Sequence, residues 1–188
     1  MQSPRALHFT ADGVCLEGWL GGLRTRADGG LARLELVPGA LRKKEGWQWH
    51  RLLRAHVLHV IAAACDIAMT TVLVGEDCAA IFAPLPQVEA DRQLRGWLAA
   101  WHTGMQQPLP VALKTAVTWL QTASDDKART AYEGGVNQTG EVARSASLAR
   151  QYPDYDALTA SGDFADWSEC LYRPLLDHEP ECSEESPA

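Results

Sequence analysis

Apolar positions change their spacing along this chain, and the changes predict its elements. Residues 6–10, 14–23 and 31–37 alternate roughly apolar with polar, which predicts three strands. Ala11-Asp12-Gly13 and Ala27-Asp28-Gly29-Gly30 read as the turns between them. Pro38-Gly39 then stops the third strand, because proline has no N–H to give to a ladder. From Gly46 the period becomes three and four. Trp49, Leu52, Leu53, Val57, Val60, Ile61 and Ala64 fall on one helical face. Short β-branched or apolar runs return at 70–74 and 79–82, separated by Gly75-Glu76-Asp77, and predict a second hairpin. The expected order is β-β-β-α-β-β, a mainly antiparallel sheet with one helix packed across it.

Pro84-Leu85-Pro86 ends that pattern, and the rest reads as helical. Leu94, Trp97, Leu98, Trp101 and Met105 keep helical spacing over 88–107, until Pro108 and Pro110 break it. Further helices are expected over 111–122, over 125–134 with Ser124 as N-cap, over 145–152 and over 163–176. The last twelve residues, from Asp177, are acidic and without apolar period, and are expected to be disordered. The fold class is therefore α+β: a core over 1–86, a helical region over 87–176 and an acidic tail over 177–188.

A hydrophobic content of 46% with seven tryptophans supports a packed core. No apolar run nears the roughly 18 residues a bilayer span needs. No apolar stretch follows Met1-Gln2-Ser3-Pro4-Arg5 as in a signal peptide, so a cytoplasmic location is expected. The five cysteines have no CxxC pair, which argues for reduced thiols. Residues 1–60 carry nine Lys/Arg against five Asp/Glu, whereas residues 61–188 carry eight against nineteen. Only the first third suits a phosphate backbone. Within it Arg42, Lys43, Lys44, Arg51 and Arg54 are candidate DNA contacts, with Trp47 and Trp49 as candidate base stackers.

The usual catalytic signatures are missing. The sequence has no GxxxxGK[ST], no GxGxxG opening a helix and no GxSxG. His56 and His59 do not have the HxxxH spacing of a helical zinc pair, and read as a boundary and a surface histidine. Glu76-Asp77 and Asp125-Asp126 read as solvated turn or cap residues. The strand-strand-helix order invites comparison with Mg²⁺-dependent nucleases of the PD-(D/E)xK type. Those place an Asp on one strand and an acid-x-Lys triplet on the next, because Mg²⁺ needs hard oxygen ligands. If Gly18-Trp19-Leu20-Gly21 aligns with the segment that ends in Asp, Gly21 holds the ligand position. If Glu35 is the acid of the triplet, Val37 holds the lysine position, and Glu17 lies at a different height on its strand. One carboxylate alone cannot assemble that site. No catalytic residue, metal ligand or cofactor is assigned.

An ordered series then carries a resemblance. Ile81-Phe82-Ala83-Pro84-Leu85 precedes Trp97-Leu98-Ala99-Ala100-Trp101-His102-Thr103-Gly104-Met105-Gln106-Gln107-Pro108-Leu109 and Val117-Thr118-Trp119-Leu120-Gln121. Lys127-Ala128-Arg129-Thr130-Ala131-Tyr132-Glu133-Gly134, Gly140-Glu141-Val142-Ala143-Arg144 and Leu171-Tyr172-Arg173-Pro174-Leu175-Leu176 follow. Over about residues 5–176 the series resembles the C-terminal region of RecC, the gamma subunit of exodeoxyribonuclease V (RecBCD). The resemblance implies a degenerate, inactive nuclease-like core in a helicase complex that serves DNA repair by homologous recombination. It implies RecB and RecD as partners, forked or double-stranded DNA as the object, and a role in strand separation and subunit packing. Alternatives are a pure protein-interaction scaffold and a residual Mg²⁺-dependent nuclease using Glu35. A full RecC is several times longer, so the chain is expected to be a domain or fragment of such a subunit.

Overall fold

The computed structural model describes residues 2–43, 46–136 and 138–183. The chain forms two compact units, residues 1–98 with 178–188, and residues 99–177. The first unit opens with a hairpin, β1 (Arg5–Ala11) and β2 (Val14–Leu20), with Leu7 opposite Gly18 and Phe9 opposite Leu16. Its turn uses Asp12 and Gly13, both at positive φ. The alternation predicts this well, with Leu7, Phe9 and Ala11 buried and His8 and Thr10 exposed.

The predicted second strand breaks where Gly21-Gly22 interrupts it, with Gly22 at φ 76°. Beyond the break β3 (Leu23–Thr25) pairs with β4 (Leu31–Leu36) in a different sheet. The expected three-stranded meander is therefore two separate antiparallel pairs. A minimal ribbon, β5 (Arg42–Lys43) with β6 (Gly46–Trp47), follows before α1 (Trp49–Ala64). Then come β7 (Thr70–Val74) and β8 (Ala79–Phe82), paired antiparallel as expected. The path from β4 through α1 returns the chain parallel, with Leu34 opposite Val72 and Leu36 opposite Val74. One parallel pair thus makes the sheet mixed, and the α+β class holds.

Helix α1 is buried around much of its circumference, which explains its many alanines. Val60, Ala63 and Ala64 pack with Phe9 and Ala11 of the hairpin and with Leu85, Ala90 and Leu94. Ala62 joins Leu7, Leu20, Leu23, Ile67 and Met69. His56 and His59 are also buried. An amphipathic helix needs only one apolar stripe, and this one serves several neighbours at once.

Helix α2 (Gln87–Gly104) contains the junction between the two units. Leu94 is buried and Trp97 and Leu98 are half-buried, but Trp101 and Met105 are 54% and 70% exposed. The expected core stripe ends at Ala100, and the face beyond it is open. The second unit continues with α3 (Leu113–Thr122) and α4 (Asp125–Glu133), the latter capped by Ser124 as expected. The short ribbon β9 (Gly134–Gly135) with β10 (Gln138–Thr139), a 3₁₀ turn over Val142–Arg144, α5 (Ala146–Gln151), α6 (Tyr155–Thr159) and α7 (Phe164–Asp177) complete it. Its core gathers Ala112, Ala116, Ala128, Tyr132, Tyr155, Leu158 and Phe164.

The chain then re-enters the first unit. β11 (Glu181–Ser183) pairs antiparallel with β8, giving the sheet order β11-β8-β7-β4-β3. This corrects the expectation of a disordered tail from Asp177: β8 offers an unpaired edge, and a short acidic segment suffices to fill it. Residues 184–188, the rest of that predicted tail, lie outside the described residues.

Candidate nucleic-acid interface

The β5–β6 ribbon carries two of the five basic candidates, and Asp77 holds it in place. Asp77 Oδ1 accepts from the Leu41 N–H at 2.7 Å, and Oδ2 accepts from the Arg42 N–H at 2.9 Å. Partial desolvation works to raise the carboxyl's pKa, but the backbone N–H groups outweigh it and hold Asp77 below the usual carboxylate range. Asp77 is therefore an anchor and not simply a solvated turn residue. Nothing local in the sequence signals this, since its partners lie 35 and 36 residues away.

Arg42 and Lys43 are exposed. The Arg42 guanidinium lies over the Trp47 ring, 5.4 Å from its centroid, and reaches Cys182 Sγ at 3.6 Å. Trp47 is half-buried, whereas Trp49 belongs to the core. Lys44 lies outside the described residues. Arg54 is exposed on α1. Arg51 is different, because its guanidinium donates to the Pro38 carbonyl and packs against Gly39. Gly39 has φ 88°, and a Cβ there would run into that guanidinium. Arg51 thus braces the loop after β4, and the ribbon residues and Arg54 remain as candidate contacts.

The nuclease-like positions show no cluster of carboxylates. Gly21 lies in the break between β2 and β3. Glu35 is half-buried and paired with Arg33 Nη1 on its own strand at 2.7 Å. The Val37 N–H donates to the Val74 carbonyl at 2.9 Å and extends the parallel ladder by one step. Glu17 instead faces His8 across the β1–β2 hairpin.

Behind the sheet, sequence reasoning missed a buried imidazole cluster. His59 was expected at the surface but is 1% exposed, and His56 is fully buried. His59 Nδ1 shares a hydrogen with Thr71 Oγ1 at 2.9 Å. His178, at the return of the chain, lies with its ring centroid 5.2 Å from His59 and 5.7 Å from His56, and bonds the Ala83 carbonyl at 3.1 Å. Phe82 and Trp97 complete the aromatic surroundings of His56. Burial, reinforced by neighbouring imidazoles, pushes His56 down to about 3 and His59 to about 4. Both are neutral packing groups at physiological pH.

Large apolar side chains stay open to solvent. Trp19 on β2 is 75% exposed and Leu36 on β4 is 76% exposed, while Leu34 is partly so. Over the second half of β4 the usual arrangement is reversed, with Arg33 and Glu35 half-buried and Leu34 and Leu36 outward. Among the described residues, no helix is long and apolar enough to cross a membrane.

A family model described as the RecC C-terminal domain matches residues 2–124. The match therefore spans every element from β1 through α3; the parts of the ordered series from Lys127 onward lie beyond it. No curated protein matches the chain.

Proposed function

The chain belongs to the RecC C-terminal domain family, and from that premise we propose that it is a non-catalytic domain that guides DNA and packs against helicase subunits. What supports this reading is that the positions where a PD-(D/E)xK nuclease would carry its metal ligand and lysine hold Gly21, in the break between β2 and β3, and Val37, while the acid candidate Glu35 is already ion-paired with Arg33. A hydrolytic Mg²⁺ site needs converging carboxylate oxygens, and a single ion-paired carboxylate does not supply them. The antiparallel β3–β4 pair, the α1 crossover and the parallel β7 support a degenerate PD-(D/E)xK core.

DNA contact falls to the exposed β5–β6 ribbon, where Arg42 and Lys43 present cations without reading bases. Exposed Trp19 and Leu36 in the first unit, and exposed Trp101 and Met105 in the second, are large apolar side chains that suit contacts with RecB or RecD.

The test is binding of the chain to a forked duplex at two salt concentrations, with and without Mg²⁺, followed for cleavage. Salt-sensitive binding without cleavage is expected. Replacing Arg42, Lys43 and Lys44 together with alanine should weaken binding on every sequence and reduce the salt slope by about 0.9 for each phosphate no longer neutralised. An absence of binding would reduce the role to scaffolding inside the complex. Cleavage abolished by Glu35→Ala would replace the reading with a metal-dependent nuclease.

A further inference from the structure

The outer face of the β1–β2 hairpin brings together three side chains of different chemistry. His8 on β1 is directly opposite Glu17 on β2, and the next outward pair is Thr10 opposite Cys15. Because side chains alternate along a strand, His8, Thr10, Cys15 and Glu17 share one face. His8 Nδ1 lies 3.3 Å from Glu17 Oε1, Cys15 Sγ lies 3.8 Å from the same oxygen, and Sγ lies 4.0 Å from Nδ1. All three ligand atoms fall within 4.8 Å of one another.

We propose that His8, Cys15 and Glu17 form a surface binding site for a borderline divalent transition ion, zinc foremost. A tetrahedral zinc with bonds of about 2.0–2.3 Å to nitrogen, oxygen and sulfur separates neighbouring ligand atoms by about 3.3–3.6 Å. The His8–Glu17 distance already fits, and the two distances to the Cys15 sulfur need to contract by only a few tenths of an ångström, which exposed rotamers on a fixed strand pair can supply. The donor set selects the metal class. One thiolate and one imidazole disfavour Mg²⁺ and Ca²⁺, which take oxygen, and suit Zn²⁺ or Co²⁺. Binding deprotonates the Cys15 thiol, so one proton leaves as the sulfur–metal bond forms. The fourth position opens to solvent and takes water.

An outer partner is already in place. Thr10 Oγ1 lies 3.4 Å from His8 Nε2. With Nδ1 on the metal, Nε2 carries the proton and donates it to Thr10, which fixes the tautomer and orients the ring. The register of the hairpin thus places two ligands and a second-sphere oxygen around His8.

Co²⁺ titration of the full chain tests the site, with zinc competition to follow. One-to-one binding with a near-ultraviolet thiolate-to-cobalt band is expected, displaced by one equivalent of zinc. Cys15→Ser should abolish the band, His8→Ala and Glu17→Gln should each weaken binding at least tenfold, and Thr10→Val should weaken it about tenfold. Circular dichroism of each variant checks that the hairpin persists, which the exposure of all four side chains favours. A thiolate band that survives Cys15→Ser would place the ion on another cysteine and overturn the assignment. So would binding that survives Cys15→Ser but is lost in His178→Ala, or no stoichiometric binding at micromolar metal.

Discussion

His56 and His59 show how a residue's environment overrides its usual chemistry. A free imidazole titrates near 6.5, yet burial and the neighbouring rings keep His56 near 3 and His59 near 4. The groups facing them are His178, Thr71, Phe82 and Trp97, with Glu89 acting on His178 from α2. His178 is itself lowered by burial, against the opposing pull of the Ala83 carbonyl and Glu89. A lowered histidine pKa means that the unfolded chain binds the proton first. Stability is then complete above about pH 6.5 and falls as pH drops toward the folded values, by up to about 1.4 kcal/mol per pH unit for each group. Urea unfolding at pH 7.5 and 5.5 should show a loss of about 2–3 kcal/mol, and His56→Phe should remove about half of that dependence. Equal stability at the two pH values would contradict neutral burial. The sequence placed His56 on the apolar face but not His59, because it drew one apolar stripe and α1 is enclosed by both hairpin and sheet.

At the scale of elements, what could be read in advance depended on whether the stabilising partner was local. The Ser124 cap of α4 was legible: a serine precedes Asp125-Asp126, and its side chain accepts from the Lys127 N–H. The start of α3 was not. Its N-cap position is Ala112, which offers no side-chain acceptor, so a distant residue fills the need. Glu141, just before the 3₁₀ turn, accepts from the Lys114 N–H at 3.0 Å and from the Thr115 N–H and hydroxyl at 2.9 Å each. Gly140 beside it is equally constrained, since a Cβ there would strike the Tyr132 carbonyl. Glu141→Ala should therefore cost about 1–2 kcal/mol in urea unfolding, comparable to losing a strong N-cap. Glu141→Gln, which keeps an acceptor, should cost less. Equal loss in both variants would mean that charge at the helix start matters more than the hydrogen bonds. The break at Gly21-Gly22 escaped notice for a related reason: alternation continues through it, and only the division into two sheets reveals it.

For the molecule as a whole, the first unit is built from two distant stretches of sequence, 1–98 and 178–188. That arrangement was not legible, because the returning segment is acidic and lacks the apolar alternation that marks a strand. Its stabilisation comes instead from an edge it completes and from His178. Glu181, Cys182 and Ser183 lie opposite Ile81, Ala80 and Ala79 of β8. His178 covers the Phe82–His56–His59 cluster, with its ring centroid 5.5 Å from Phe82. Ending the chain after Asp177 removes both, leaving β8 as an open edge and uncovering an aromatic cluster. Three residues of ladder at roughly 0.5–1.5 kcal/mol per hydrogen bond, together with the missing packing, should lower stability by about 2–4 kcal/mol. The comparison to make is urea unfolding of the full chain, of 1–177, and of the full chain carrying His178→Ala. If β11 acts through its ladder, 1–177 should be clearly weaker than His178→Ala, and amides of β8 should lose hydrogen-exchange protection only in the truncated chain. If the two variants unfold alike, the contribution belongs to the histidine cover and the strand pairing adds nothing. The family match ends at residue 124, so a fragment cut at that boundary lacks the same returning strand and should show the same exposed edge.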